Sequence, residues 1–275
     1  MWSRALLVFA LVAGVGAAYM VDAKPTSESS AKKSSAKKSK KSKKTATKSA
    51  TQSTSKSKKT KAKKKKKKVS RTPSKATLRN VKNMPKGYAW PPSKQMIAAE
   101  KACQEQLDTL GVSWKPAKTE GRIASALTVD PDADGHIVLG GIKYKSAWRS
   151  PPYKMDCQLA LALENFGKDL FAAGVREVKF GSIFRWTNVR VNGETKPFLS
   201  RHALGIAMDI VSFSDETGRE ANVKNDYPLG DPLLLAVEAA VSESGAFRTL
   251  LTPANDPASH SDHFHIEVKV DFTTK

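Results

Sequence analysis

"SRHALGIAMDI", residues 200 to 210, is the stretch on which the reading of the fold turns. It carries His202 and Asp209, seven residues apart. In one unbroken strand that odd spacing would place them on opposite faces. Gly205 lies between them and allows a turn, so Asp209 falls in the apolar strand that follows, expected over Ile206 to Phe213. A carboxylate between Met208 and Ile210 needs a partner, because burying a bare charge is costly. A metal ion is one such partner.

A second stretch, "SHSDHFHIE" at residues 259 to 267, holds His260, His263 and His265, three of the chain's five histidines. A strand is expected from His263 to Val270. His263 and His265 would then share one face, with Phe264 turned to the other. Asp262 and His260 lie just before it. Two His and one Asp with an open fourth position suit catalytic zinc. The alternative is a hydrogen-bonded His–Asp cluster without metal. Four of the five histidines fall in these two stretches, which argues for a built site.

Outward from them the chain reads as helices and strands. Ser93 is positioned to cap a helix over Gln95 to Leu110, closed by Gly111. His136 to Lys145 reads as strand, turn and strand around Gly140-Gly141. Asp156 can cap a second helix running to Ala173, with Leu159, Leu163, Phe166 and Leu170 on its apolar face. Strands are expected over Glu177 to Trp186, Val189 to Val191 and a return strand after the Asn192-Gly193 hairpin signal. A turn at Asp215 to Gly218, a helix over Pro232 to Ser244 and a strand over Phe247 to Leu251 complete the pattern. The class is α+β, a small antiparallel sheet flanked by helices, expected over residues 84 to 275.

The first 83 residues differ in kind. Met1 to Arg4 is a short basic start, and Ala5 to Ala18 is an apolar run of 14 residues. With Val21-Asp22-Ala23 this is the pattern of a signal peptide over residues 1 to 23. The run is shorter than the ~20 residues of a membrane-spanning helix. An uncleaved anchor is the other reading; once the signal is removed, no transmembrane anchor is expected. Lys24 to Lys75 carries 21 Lys and one Arg against one Glu. That accounts for the whole formal charge of +21, so the remainder nets to zero. A Lys- and Ser-rich segment over residues 24 to 83 buries too little to offset its chain entropy and is expected to be disordered. It reads as a tether for anionic envelope polymers, or as a spacer. Nucleic acid is not the expected partner of an exported chain. The two cysteines, Cys103 and Cys157, can form a disulfide in an oxidising compartment or remain as buried thiols.

These motifs carry a resemblance. Ser200-x-His202-x-x-Gly205-x-Ala207-x-Asp209 resembles the S-x-H-x-x-G-x-A-x-D motif of zinc D-alanyl-D-alanine peptidases, and Asp262 to His265 their second motif. The spacing of His260, His263 and His265 is similar to that of penicillin-insensitive murein endopeptidases. "FRTLLTPANDPASHSDHFH", residues 247 to 265, is similar to the bacterial extensin-like C-terminal family, whose segment ends H-x-D-H-F-H. The resemblance covers roughly residues 100 to 272. It departs at Phe184, and at Ser244 or Gly245, where relatives commonly carry cysteines.

The resemblance implies a zinc D,D-peptidase-like fold with His202, Asp209 and His265 as zinc ligands. It gives Asp262 or His263 the proton transfer and Arg185, in "GSIFR", the hold on a substrate carboxylate or carbonyl. Ser200 is expected beside the substrate, and His260 is expected to contact substrate at the flank of the pocket or to orient a neighbour. The expected activity is hydrolysis of peptidoglycan peptide bonds by a monomer in the periplasm or cell envelope. A cell-wall binding module without turnover, or an envelope protein acting through its Lys tail, are the alternatives.

Overall fold

A computed structural model describes residues 72 to 273. The signal-peptide reading and most of the Lys-rich tail lie outside the described residues. Ser74 to Asn83, the end of the expected tail, are inside them and form structure. Ser74 accepts the Thr77 N–H and caps α1 (Lys75–Arg79). The side chains of Asn80 and Asn83 then donate to the carbonyls of Pro197 and Leu199. The folded body therefore begins about ten residues before Met84.

Ser93 caps α2 (Lys94–Thr109) by accepting the Met96 N–H, and the helix buries Met96, Cys103 and Leu107. Next come β1 (Trp114–Pro116) and β2 (Ala126–Val129), then β3 (Ile137–Leu139) and β4 (Ile142–Ser146), the hairpin expected around Gly140-Gly141. β5 (Lys154–Asp156) joins β1 and β2 in a three-stranded sheet. Strands β1, β2 and β5 have three or four residues each, too few to print a periodic pattern. Asp156 accepts the Gln158 N–H and caps α3 (Cys157–Ala172). A disulfide joins Cys103 of α2 to Cys157 of α3, 54 residues apart. By the chain-entropy argument such a loop contributes about 4 kcal/mol.

The remaining elements build the site. They are β6 (Val175–Ser182), the hairpin β7 (Asn188–Val191) with β8 (Glu194–Leu199), a 3-10 turn over Arg201–Leu204, β9 (Ala207–Asp215), β10 (Glu220–Asn222), α4 (Pro232–Glu243), β11 (Phe247–Leu251) and β12 (Phe264–Val268). The main sheet runs β11-β12-β9-β6-β4-β3, with β10 also paired to β9. The fold is α+β as expected. The expected small antiparallel sheet is corrected, because this sheet has seven strands and is mixed. β4 and β6 are parallel while its other pairs are antiparallel. The cause is the helix between them. A chain that leaves β4 and returns through α3 can lay β6 in the same direction, which a tight hairpin cannot do.

One sheet face is the core. Met208 and Ile210 of β9, and Phe264, Ile266 and Val268 of β12, are buried in one cluster with Leu163 and Phe166 of α3 and Val237 and Val241 of α4. Asp209 and Val211 alternate to the other face of β9, beside Gly181 of β6, where all three line a cleft of about 990 Å³. No helix among the described residues is long and apolar enough to cross a membrane.

Candidate metal centre

The turn between His202 and Asp209 forms as the sequence demanded. Ser200 Oγ accepts the His202 N–H and starts the 3-10 turn, and Gly205 ends it at φ +70°. An alanine there would suffer both the left-handed backbone and a Cβ only 2.9 Å from the Asp156 nitrogen. The chain then enters β9, where Asp209 pairs in register with His265 of β12 and with Ser182 of β6. Three strands and one turn thus deliver the side chains to one point.

Three atoms meet there. His202 Nε2 lies 3.0 Å from Asp209 Oδ1 and 3.1 Å from His265 Nδ1, which is itself 2.9 Å from Asp209 Oδ1. Their partners on the far side fix which atom of each group is free. His202 Nδ1 lies 2.7 Å from the Ile183 carbonyl, to which it can only donate, so its Nε2 carries the lone pair. His265 Nε2 lies 3.3 Å from Glu267 Oε1 and donates in the same way, leaving a lone pair on Nδ1. Asp209 Oδ2 accepts from Ser182 Oγ at 2.8 Å and from Arg185 Nη2 at 2.7 Å. Its Oδ1 is the oxygen turned to the two rings. Glu267 is braced in turn by Arg248, 3.2 Å away.

Three acceptors about 3 Å apart cannot all face one another bare, so a positive centre must lie among them. In the metal-free protein that centre is a proton. Burial alone would lower His265, but its contacts with Asp209 and Glu267 override burial and push it up to about 9. Burial would raise Asp209, yet the two rings hold it well below the usual carboxylate range. Burial keeps His202 below an ordinary His, and Asp209 only partly offsets this. A metal ion satisfies the same three atoms. Tetrahedral ligands ~2.0 Å from zinc stand about 3.3 Å apart, close to the spacing found here.

The other expected residues divide. His263 comes to the centre, with Nε2 3.5 Å from Asp209 Oδ1 and Nδ1 2.7 Å from Asp262 Oδ1. Asp262 therefore holds the ring of His263. His260 is buried and paired through Nδ1 to Asp256 at 3.0 Å. Burial, with His265 and His263 nearby, pushes it down to about 4, so it is neutral. Neither His260 nor Ser200 is among the residues that line the cleft, and neither are the buried His202 and His265. Ser200 is used up in capping the turn, and His260 packs its ring against those of His263 and His265. Arg185 does line the cleft, half exposed while it holds Asp209.

Over residues 101 to 274 the chain matches the family described as extensin-like protein C-terminus. The chain belongs to the extensin-like C-terminal family. No curated protein and no solved structure matches it.

This extensin-like domain manages without a cysteine before Arg185. The Phe184 ring occupies the side-chain space of Gly121, where a Cβ would come within 2.7 Å of it. The Arg185 N–H meets the His202 carbonyl at 3.4 Å. Packing and these contacts hold Arg185 in place. Sequence reasoning did not assign Ser182, Glu267 or Arg248. Glu267 was within reach, because it stands two residues after His265 and so shares its strand face.

Proposed function

We propose that this extensin-like chain is an exported metal-dependent hydrolase that cleaves peptide bonds of bacterial peptidoglycan. The observation that carries the reading is the meeting of His202 Nε2, Asp209 Oδ1 and His265 Nδ1, buried beside an open cleft that Asp209 and His263 line. These three residues would hold zinc, and the likeness of their motifs to zinc D,D-peptidases supports that choice of fold relative and of metal. Bound there, zinc supplies a Lewis acid that lowers the pKa of water to about 7 and polarises a carbonyl.

The chain's own groups do the rest. His263 accepts a proton at Nε2 and later returns it to the leaving amine, because Asp262 already takes its Nδ1–H. The Asp262 carboxylate holds the ring in that orientation. Arg185 spends one Nη on Asp209 and offers its remaining N–H groups to a carboxylate or developing oxyanion in the cleft. Ser182 and Arg185 keep Asp209 Oδ2 occupied, so Oδ1 stays aimed at the centre. The Lys-rich segment would hold the exported protein against anionic polymers of the envelope.

The test is incubation of the purified protein with muropeptides, with and without chelator, read by product mass. About one zinc per chain is expected, lost in His265→Ala, with chelator-sensitive cleavage. Zinc-loaded protein that binds peptidoglycan without releasing products would make it a binding module. Protein that takes up no zinc when supplied would refute the site.

A further inference from the structure

The cleft extends beyond the metal centre, and its far part carries an indole that the mechanism does not use. Trp148 is 72 % exposed. An exposed indole gives up much of the free energy that burying it would gain, so one held in a cleft calls for a reason. The rim segment that presents it is well anchored. The Ala147 N–H donates to the Phe180 carbonyl at 2.8 Å. Tyr153 Oη accepts the Ser146 N–H at 3.2 Å and donates to the Arg149 carbonyl at 3.1 Å. The Tyr153 ring in turn packs edge-on against Phe180.

The floor is shaped to receive the indole. A Cβ at Gly181 would lie 2.6 Å from Trp148 Cζ3, so only glycine leaves the ring its place. Gly181 neighbours Val211, which shares a strand face with Asp209 and sits two residues, about 7 Å, along β9 from it. The indole therefore stands one subsite away from the metal ligands. Polar groups line the same cleft. Lys179 bridges both oxygens of Glu220 at 2.6 Å, and Asn222 and Lys224 continue the lining.

We propose that Trp148, with Lys179, Glu220 and Asn222, forms a subsite for a hexose ring of the glycan strand. The proposal rests on the peptidoglycan reading of the metal centre and names which part of that polymer the second half of the cleft takes. A sugar has an apolar C–H face that stacks on an aromatic ring and an edge of hydroxyls that needs donors and acceptors. An open indole beside an ion pair and an amide offers both. A peptide chain would commonly add to a free strand edge, and among the described strands that line the cleft floor only the three-residue β10 keeps one. β6 is paired on both sides by β4 and β9, and β9 by β6 on one side and β12 and β10 on the other. The cleft, about 990 Å³, lies at the upper end of the range of small-molecule pockets, roughly 300–1,000 Å³.

The test uses the full chain and a β-1,4-linked N-acetylglucosamine tetramer, titrated calorimetrically with chelator present. Wild type should bind it, and Trp148→Ala and Gly181→Val should each weaken binding roughly tenfold. Trp148→Phe should recover part of the loss. In turnover, Trp148→Ala should raise KM for a muropeptide that carries its disaccharide, with kcat little altered. No tetramer binding by wild type at millimolar concentration overturns the proposal. So does an equal rise in KM on the sugar-free stem peptide, which would give the indole to the peptide. If no muropeptide is cleaved at all, the hydrolase reading fails, while the chelated titration still decides the sugar subsite.

Discussion

Glu267→Gln should weaken zinc binding without unfolding the protein. Glu267 touches no position where a metal would sit. Its Oε1 receives the Nε2–H of His265 at 3.3 Å, and this contact leaves the Nδ1 lone pair facing His202 and Asp209. Burial would raise the Glu267 carboxyl, but His265, Arg201 and Arg248 pull it down to about 2, so it is charged. A hydrogen bond to a charged group contributes roughly 1.5–3 kcal/mol. Glutamine keeps an oxygen that can accept, so the loss should fall at the lower end, near 1.4 kcal/mol or about tenfold in Kd. A removed partner of a ligating histidine typically costs 10–100-fold, and tenfold is the low end of that range. If the amide instead turns its NH2 toward Nε2, the ring proton moves to Nδ1 and the loss is larger, so the sign holds either way. The assay is competition with a chelating indicator at fixed pH, alongside thermal melting of the metal-free protein to exclude gross unfolding. A Kd within twofold of wild type, in a variant that melts normally, would refute the idea that Glu267 sets the face His265 presents.

The proton-transfer roles separate in a pair of variants. His263→Ala should keep zinc and lose on the order of 10²-fold or more in turnover, while Asp262→Asn should lose less; the reverse order would make Asp262 the base. Burial and the adjacent Asp156 carboxylate push Glu100 up to about 9, so its proton is held in the folded protein and shed in the unfolded one from about 4.5. Its stabilising contribution is complete below that lower value and is lost as pH rises toward 9. Glu100→Gln should accordingly melt higher than wild type at pH 8 to 9 and converge with it in acid, and parallel curves across that range would refute the assignment. The charge between Lys24 and Lys75 should make the mature protein co-sediment with envelopes at low salt and release well below 1 M, where screening acts within ~3 Å. A chain beginning at Thr72, which keeps α1 and its cap, should sediment far less; equal sedimentation would place binding in the folded domain.

Much of the centre was legible because strands and turns have fixed geometry. The odd interval between His202 and Asp209 required a break, and Gly205 supplied it. Asp209 in an apolar run required a counter-charge, and the alternation of β12 put His265 on the face that meets it. The capping residues Ser93 and Asp156 announced their helices for a local reason, since the orphan N–H groups need an acceptor there. The mixed sheet was not legible, because the β4–β6 pairing joins segments separated by β5 and α3. Nor was Ser182 as a partner of Asp209. The pairing of β6 with β9 slips between Phe180 and Ser182, and a bulge of that kind leaves no mark in the hydrophobic pattern.

Asp262 shows how a motif's residues can keep their order while their roles are set by one backbone turn. The resemblance to zinc peptidases leaves the proton transfer to Asp262, the acid three residues before His265, or to His263. The chain, however, is still bending at His263 and enters β12 only at Phe264, so His263 and Asp262 are not constrained to alternate faces. The bend brings the Asp262 carboxylate onto His263 Nδ1 and leaves Asp262 more than half exposed, while His263 is mostly buried. The geometry therefore gives His263 a free Nε2 toward Asp209 and commits its Nδ1 to Asp262. Four nearby groups then work as two oriented pairs. Glu267 orients His265 toward His202 and Asp209, and Asp262 holds His263 beside them. The density of histidine in residues 260 to 265 follows from that need, because each ring has two nitrogens and every one placed at this site must have one of them held from behind.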